Sequence, residues 1–453
     1  MEPRFKNCDR DTLFLMPPSV DDWVAQDHLA RFVVEIVSRL DLSCIKNAYA
    51  GRGSDAYPPH IMVALLFYAY ATGVFSSRKI EQATYDSVAF RYIAVNTHPD
   101  HDTIATFRKR FLKDLKALFT QILLIAHEMG VLKLGSVSLD GTKIKANASK
   151  HHALSWDYAR KLEKQLKAEI TELLDKARQA DKHDLPEGMS IPEELARRQA
   201  RLDAITAAKA QIEQRAAERF AKEQQAHEKK LSERKAKEQK TGKKPGGPKP
   251  KPPKPGPKGK DQVNLTDSES RIMPSSKGGF EQAYNGQAAV DVDSMLIVEN
   301  HITQQTNDRQ QVAPAVKNLS RLPQRLGKVD TLLADTGYFS NDNIEQCEKE
   351  HIVPYIAVER QKHNLPPEER FCEPEPLTEP ADPVEAMKHR LKTLAGKAVY
   401  AKRKSTVEPV FGIIKAAMGF RQFLLRGLER VCGEWNLVCM AYNIKRMHAL
   451  RPS

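Results

Sequence analysis

Two short apolar runs, each closing on an aspartate with a glycine within two residues of it, constrain this chain more than any other feature. They are Val137-Ser138-Leu139-Asp140-Gly141 and Leu332-Leu333-Ala334-Asp335-Thr336-Gly337. Short apolar runs bounded by turn formers read as buried strands, and such strands belong to sheets covered on both faces. The glycine leaves backbone free to approach a ligand. Equivalent strand ends of one sheet lie side by side whatever their separation in sequence, provided the chain between them loops out. A third acid, Glu408 in Lys404-Ser405-Thr406-Val407-Glu408-Pro409-Val410-Phe411-Gly412, follows a basic stretch at the opening of a helical pattern. Three carboxylates in one cup can hold two hard divalent cations about 4 Å apart, the arrangement that serves in-line displacement at phosphorus. Taken singly, each acid is more simply a turn, cap or surface group.

Around these runs the chain alternates in a readable way. Residues 1–130 read as helical. Asp22 to Val37 carries apolar groups at three- and four-residue steps, and Pro58-Pro59 can start a helix, His60 to Tyr70, that is apolar nearly all round. From Val131 strand patterns appear. Residues 151–240 then form an insertion of leucines, alanines and paired charges, with Pro186 and Pro192 marking a break between two long helices, which predicts an antiparallel hairpin. Residues 241–260 hold seven lysines, seven prolines, five glycines and no acid. Such a tract buries no core and predicts an extended, disordered basic linker. Beyond it, 283–292 and 296–303 read as two strands joined at Asp293-Ser294. Helix, strand, helix and strand follow at 308–322, 328–334, 341–349 and 353–358, and helix returns from Met387. The pattern implies a mixed α/β sheet covered by helices, with an all-α amino-terminal domain.

A formal net charge of +13 points to a polyanionic partner, because each neutralised phosphate releases condensed counterions. Nucleic acid fits better than a membrane surface, since no interfacial anchor or lipidation signal is visible. The six cysteines are scattered, without zinc-type spacing, and read as reduced thiols. With no apolar signal core and no stretch long enough to span a bilayer, a cytoplasmic protein is expected. Between Ser76 and Phe111 basic groups, among them Arg78 and Arg108, interleave with aromatic ones. That mixture suits small DNA-reading helices and equally the solvated faces of a helical bundle. Arg403, Lys404 and Lys415 flank Glu408, and Arg421 and Arg426 follow, a set able to hold phosphates near the acids; Tyr400 can stack on a base or pack in a core. Asp335-Thr336-Gly337 has the local form of an aspartic-protease loop, but no matching second loop occurs and the basic charge serves no such role.

As a set, the motifs resemble those of bacterial insertion-sequence DDE transposases. They are Arg4-Phe5 through Leu29, Tyr57-Pro58-Pro59, Pro99-Asp100-His101-Asp102-Thr103-Ile104, Leu139-Asp140-Gly141-Thr142-Lys143, Tyr284-Asn285-Gly286-Gln287, Ala334-Asp335-Thr336-Gly337-Tyr338, Val407-Glu408-Pro409-Val410-Phe411-Gly412 and Ala441-Tyr442-Asn443. The resemblance implies an RNase H-like catalytic domain at 131–150 and 261–453, with Asp140, Asp335 and Glu408 as catalytic, metal-holding acids. It implies two Mg²⁺ ions, replaceable by Mn²⁺. It implies cleavage and strand joining of double-stranded DNA at terminal inverted repeats, by a homo-oligomer on the DNA. The family signature usually sets an arginine four before the glutamate and a tyrosine three before that. Here those positions are Lys404 and Ala401, with Arg403 and Tyr400 each one place earlier, while Lys415 keeps its offset. A metal-dependent nuclease of the same fold, or a transposase-derived DNA-binding protein that has lost catalysis, would carry much the same pattern.

Overall fold

The computed structural model describes residues 19–49, 55–180, 191–242, 246–275, 278–359, 372–376 and 382–451. Arg4-Phe5 and Pro186 lie outside them. The chain divides into two compact units, residues 1–144 with 285–453, and residues 145–284.

The first unit opens with helices α1 (Leu29–Ser38), α2 (Ser43–Lys46), α3 (Pro59–Ala71), α4 (Ser77–Asp86), α5 (Val88–Ile93) and α6 (His101–Glu128). The helix expected from Asp22 begins only at Leu29. Arg31 donates to the carbonyls of Asp21 and Val24 at 2.7 and 2.9 Å, holding residues 20–23 in a separate 3-10 turn, and the His28 ring caps α1. Helix α3 starts at Pro59, where a missing amide costs nothing, and every residue from Ile61 to Ala71 is buried, as its all-round apolar surface requires.

Strand β1 (Leu134–Lys145) follows. The later strands of this unit are β5 (Phe280–Asp291, entering from the second unit), β6 (Ile297–Thr303), β7 (Gly327–Ala334) and β8 (Val353–Ile356), numbered after three short strands of the second unit. The sheet order is β6-β5-β1-β7-β8, with β5/β6 antiparallel and β1/β7 and β7/β8 parallel. Asp291 accepts from the Ser294 amide and hydroxyl, closing the β5/β6 turn where the sequence places it. Helices α9 (Val312–Leu319) and α10 (Asn341–Lys349) connect the later strands. The chain ends in α11 (Pro383–Lys392), α12 (Leu394–Gly412) and α13 (Leu428–Leu450). Helix α13 packs against α3, α6 and β6, so the amino-terminal helices share one core with the sheet's covering helix.

The second unit holds α7 (Trp156–Ala180) and α8 (Ile191–Thr241) with the short strands β2 (Ala153–Ser155), β3 (Gln262–Asn264) and β4 (Arg271–Pro274). Leu162 and Leu166 of α7 meet Ile205, Ala208 and Ile212 of α8 in one apolar cluster, and β2 pairs antiparallel with β3 at its base. Ion pairs Lys209–Glu163 at 2.6 Å and Arg198–Glu169 at 3.0 Å fix the antiparallel register. Pro192 sits in the first turn of α8, at the start of the second long helix. Beyond Thr241, which closes α8, the described residues of the Lys/Pro/Gly tract have no regular secondary structure, as its composition dictates. Its described part does not swing free, however, because α8 side chains donate to its carbonyls.

Candidate active site

The parallel ladder between β1 and β7 pairs Ser136 with Thr331, Val137 with Leu332 and Ser138 with Leu333. Continuing that register two steps brings Asp140 opposite Asp335, on adjacent strands about 4.8 Å apart. Strand β1 does not end at Asp140, as its apolar run predicts, but continues to Lys145. What ends at this level is its pairing with β7, whose last residue is Ala334. Asp335 then turns away, its Oδ1 accepting from the Gly337 amide at 2.8 Å. The Asp140 Oδ1 accepts from the Gly141 amide at 2.7 Å. Gly141 is required by its surroundings, because a Cβ there would fall inside contact distance of the side chains of Gln287, Asp308 and Asn285.

Glu408 arrives on α12, which packs against β7, and lies well inside that helix instead of opening it. Arg403 joins the acids. Its Nη2 lies 3.2 Å from Glu408 Oε1 and its Nη1 lies 3.8 Å from Asp140 Oδ2. Its side chain is 9% exposed, against 19% for Asp140 and 52% for Glu408, so the cation is the buried member of the trio. Arg403 thus stands on the site side of α12, while Lys404, about 100° further round the helix, is exposed. The half-buried Tyr400, one turn earlier, bonds Arg403, and burial raises its hydroxyl's pKa. The sequence pattern gives Arg403 to phosphate and leaves Tyr400 between a base and the core; in the structure Arg403 faces the acids and Tyr400 packs half-buried beside it.

Burial, with the negative charges of Asp335 and Asp308, pushes the Asp140 carboxyl up to about 7, against the opposing pull of the Gly141 amide and Arg403. Asp140 and Glu408 therefore flank one guanidinium, and Asp335 is close enough to Asp140 for its charge to be felt there. They do not form a ready ligand set: among the described residues no three His, Cys, Asp or Glu side chains are arranged to hold a metal ion. The donor chemistry nevertheless fits a hard divalent cation, being all carboxylate oxygen, and the mutual repulsion felt at Asp140 is what such a cation relieves.

Asp308 escapes a reading of the sequence, which makes it merely the first residue of a helix at 308–322; that helix starts only at Val312 and leaves Asp308 in the loop before it. Its Oδ1 accepts from Asn285 Nδ2 at 2.6 Å and Gln287 Nε2 at 2.7 Å and lies 3.5 Å from Lys143 Nζ. Gln287 in turn accepts from the buried Tyr338 hydroxyl at 2.5 Å. The motifs Asn285-Gly286-Gln287 and Asp335-Thr336-Gly337-Tyr338 thus meet in one polar layer beside Asp140. Lys415 donates to the Lys143 carbonyl at 3.0 Å, and burial together with Lys143 lowers its pKa, which Asp140 partly offsets. It lies in a five-residue π turn, Ile413–Ala417, that follows Pro409 in the helix. Arg78, Arg421 and Arg426 are exposed or half-buried at the surface. Arg108 is not available to DNA: it is 6% exposed, donating to the Tyr70 hydroxyl and the Phe75 carbonyl inside the helical core.

A family model described as Transposase DDE domain matches residues 251–444, and one described as Transposase domain (DUF772) matches residues 18–110. The chain belongs to the DDE transposases. The matched DDE domain is a metal-dependent DNA phosphoryl transferase with an RNase H-like fold, which the mixed sheet of this transposase carries. Asp335 and Glu408 fall inside the matched DDE span, whereas Asp140 lies between the two spans and is tied to them by the strand register and Arg403. No curated protein and no solved structure matches the chain. No helix among the described residues is long and apolar enough to cross a membrane.

Proposed function

We propose that this transposase binds the terminal inverted repeats of its own insertion sequence and cuts and joins DNA there with Asp140, Asp335 and Glu408 as its metal-holding acids. The observation that carries the reading is the β1/β7 register, which sets Asp140 beside Asp335, together with Arg403 reaching from Asp140 to Glu408. Mg²⁺, as two ions and with Mn²⁺ able to substitute, would polarise the scissile phosphate and activate the attacking water or 3′-hydroxyl when held by these acids.

The chain's own residues do the rest. Arg403 aligns Asp140 with Glu408 and offsets their charge; the Gly141 and Gly337 amides fix one oxygen of each aspartate. Lys143 and Lys415 stand beside Asp140, and Lys404, Arg421, Arg426 and Arg78 reach solvent, where they can hold the phosphate backbone in register. Work on two DNA ends at once calls for a homo-oligomer assembled on double-stranded DNA. Such a protein would act in the cytoplasm, at the nucleoid. The test is Mg²⁺-dependent scission of duplexes carrying the element's ends, repeated with Asp140→Asn and Asp335→Asn. Loss of scission with retained DNA binding is expected in both; unchanged scission in either overturns the assignment.

A further inference from the structure

Within the second unit, the Lys/Pro/Gly tract is laid antiparallel along the distal half of α8. Arg234 donates to the carbonyls of Pro248 and Gly247 at 3.0 and 3.2 Å, His227 to that of Pro250 at 3.2 Å, and Arg219 to that of Gly256 at 3.3 Å. The spacing is that of two regular rods. From Arg219 to Arg234 a helix climbs about 22 Å, and the tract from Gly256 back to Pro248 spans about 25 Å as polyproline II. Prolines suit this role, since they hold the extended conformation without amides and leave their carbonyls as acceptors.

The side chains sort by face. Pro250, Pro253 and Pro257 are partly covered, whereas Lys249, Lys251, Lys254, Lys258 and Lys260 are all exposed, and no acid occurs from residue 246 to 260. Glu223 lies 3.9 Å from Lys258, and α8 also carries Glu228, Glu233 and Glu238, interspersed with Lys222, Lys229, Lys230, Lys235 and Lys237. The uncompensated charge therefore runs along the tract as a ridge through Lys249, Lys251 and Lys254 and, past the positive-φ Gly256, to Lys260, while Lys258 is partly offset by Glu223.

We propose that this ridge is a DNA-contacting surface, binding the phosphate backbone of duplex DNA without reading sequence. Duplex DNA is the linear polyanion that such a row fits, with one charge per about 1.7 Å of its axis. Fastening the tract to α8 lowers the ordering cost of binding, as preorganisation does elsewhere. The surface lies outside the acid site and needs no metal, although its choice of partner rests on the transposase reading.

The experiment uses the full-length protein, a random-sequence duplex and EDTA, with binding followed by fluorescence anisotropy across a salt series. The quintuple variant Lys249→Gln, Lys251→Gln, Lys254→Gln, Lys258→Gln and Lys260→Gln is expected to flatten the slope of log affinity against log salt by about 2 to 4, at about 0.9 for each phosphate that the variant leaves unneutralised. A second variant, His227→Ala with Arg234→Ala, keeps every lysine of the tract and is expected to weaken binding about 3-fold. An unchanged slope in the first variant, with helix content intact by circular dichroism, overturns the proposal. Wild-type affinity in the second overturns the role given to fastening. Binding of the wild type to anionic phospholipid vesicles as tight as to the duplex overturns the choice of partner. Because the readout is metal-free binding, a flattened slope alongside no Mg²⁺-dependent scission would leave the ridge standing and sink the acid-site reading.

Discussion

Asp140→Asn should make this protein more stable at alkaline pH while removing its chemistry. Burial and two neighbouring acids raise the Asp140 carboxyl from 3.8 to about 7 in the folded chain. A raised folded pKa means that the folded state holds the proton more tightly than the unfolded state does. The stabilisation is fully present below the unfolded pKa and is lost as pH rises from about 4 through about 7. At 1.36 kcal/mol per unit of pH, carrying an ionised Asp140 costs about 2.6 kcal/mol more at pH 8 than at pH 5. Partial solvent access and the partner that Arg403 loses in the variant reduce the expected difference to about 1–2 kcal/mol. The assay is urea denaturation in EDTA at both pH values, followed by tryptophan fluorescence. The Asp140→Asn variant should gain on the wild type by that amount between pH 5 and pH 8, and adding Mg²⁺ at pH 8 should narrow the gap by stabilising the wild type alone. A gap that does not change with pH, or a variant that loses ground at pH 8, would refute the claim that burial, with Asp335 and Asp308, raises the Asp140 carboxyl.

Two further outcomes follow from the site. Arg403→Ala, which leaves Asp140 and Glu408 without their shared cation, should lower single-turnover scission at least about tenfold, or about 1.4 kcal/mol, with Arg403→Lys recovering part of it; equal rates for all three proteins would show the bridge to be idle. Gly141→Ala places a methyl group against Gln287 and Asp308, so thermal denaturation should show a loss of about 1–3 kcal/mol, and a neutral result would mean that the polar layer yields more readily than its hydrogen bonds suggest.

Much of the fold was legible because it is written in local pattern. The Val137–Asp140 and Leu332–Asp335 runs are buried strands because nothing but a covered sheet accommodates them, and α3 is a buried helix for the same reason. Asn341–Lys349 forms a helix within the limits its pattern sets, and Ser340 caps it by accepting from the Asn343 amide. Helix starts were less legible: Asp22 to Val37 has one apolar period, yet Arg31 divides it by bonding back to the carbonyls of the preceding turn. Period reports which face is apolar, not where a long side chain finds its acceptors.

The three candidate acids, their approximate strands or helix and the basic charge around Glu408 could be read from sequence alone. Which of the cations faces the acids could not, because one residue's difference on α12 is a rotation of about 100°, and only the docking of that helix on β7 selects Arg403 over Lys404. Asp308 and the buried Arg108 make the same point from opposite sides. A loop acid becomes part of the site when Asn285, Gln287 and Lys143 converge on it across strands, and an arginine in a basic, aromatic stretch becomes core when Tyr70 and Phe75 offer it partners in a space closed to water. Chain order sets what each residue can do; desolvation and long-range hydrogen bonding, which exist only once the layers close, decide what it does.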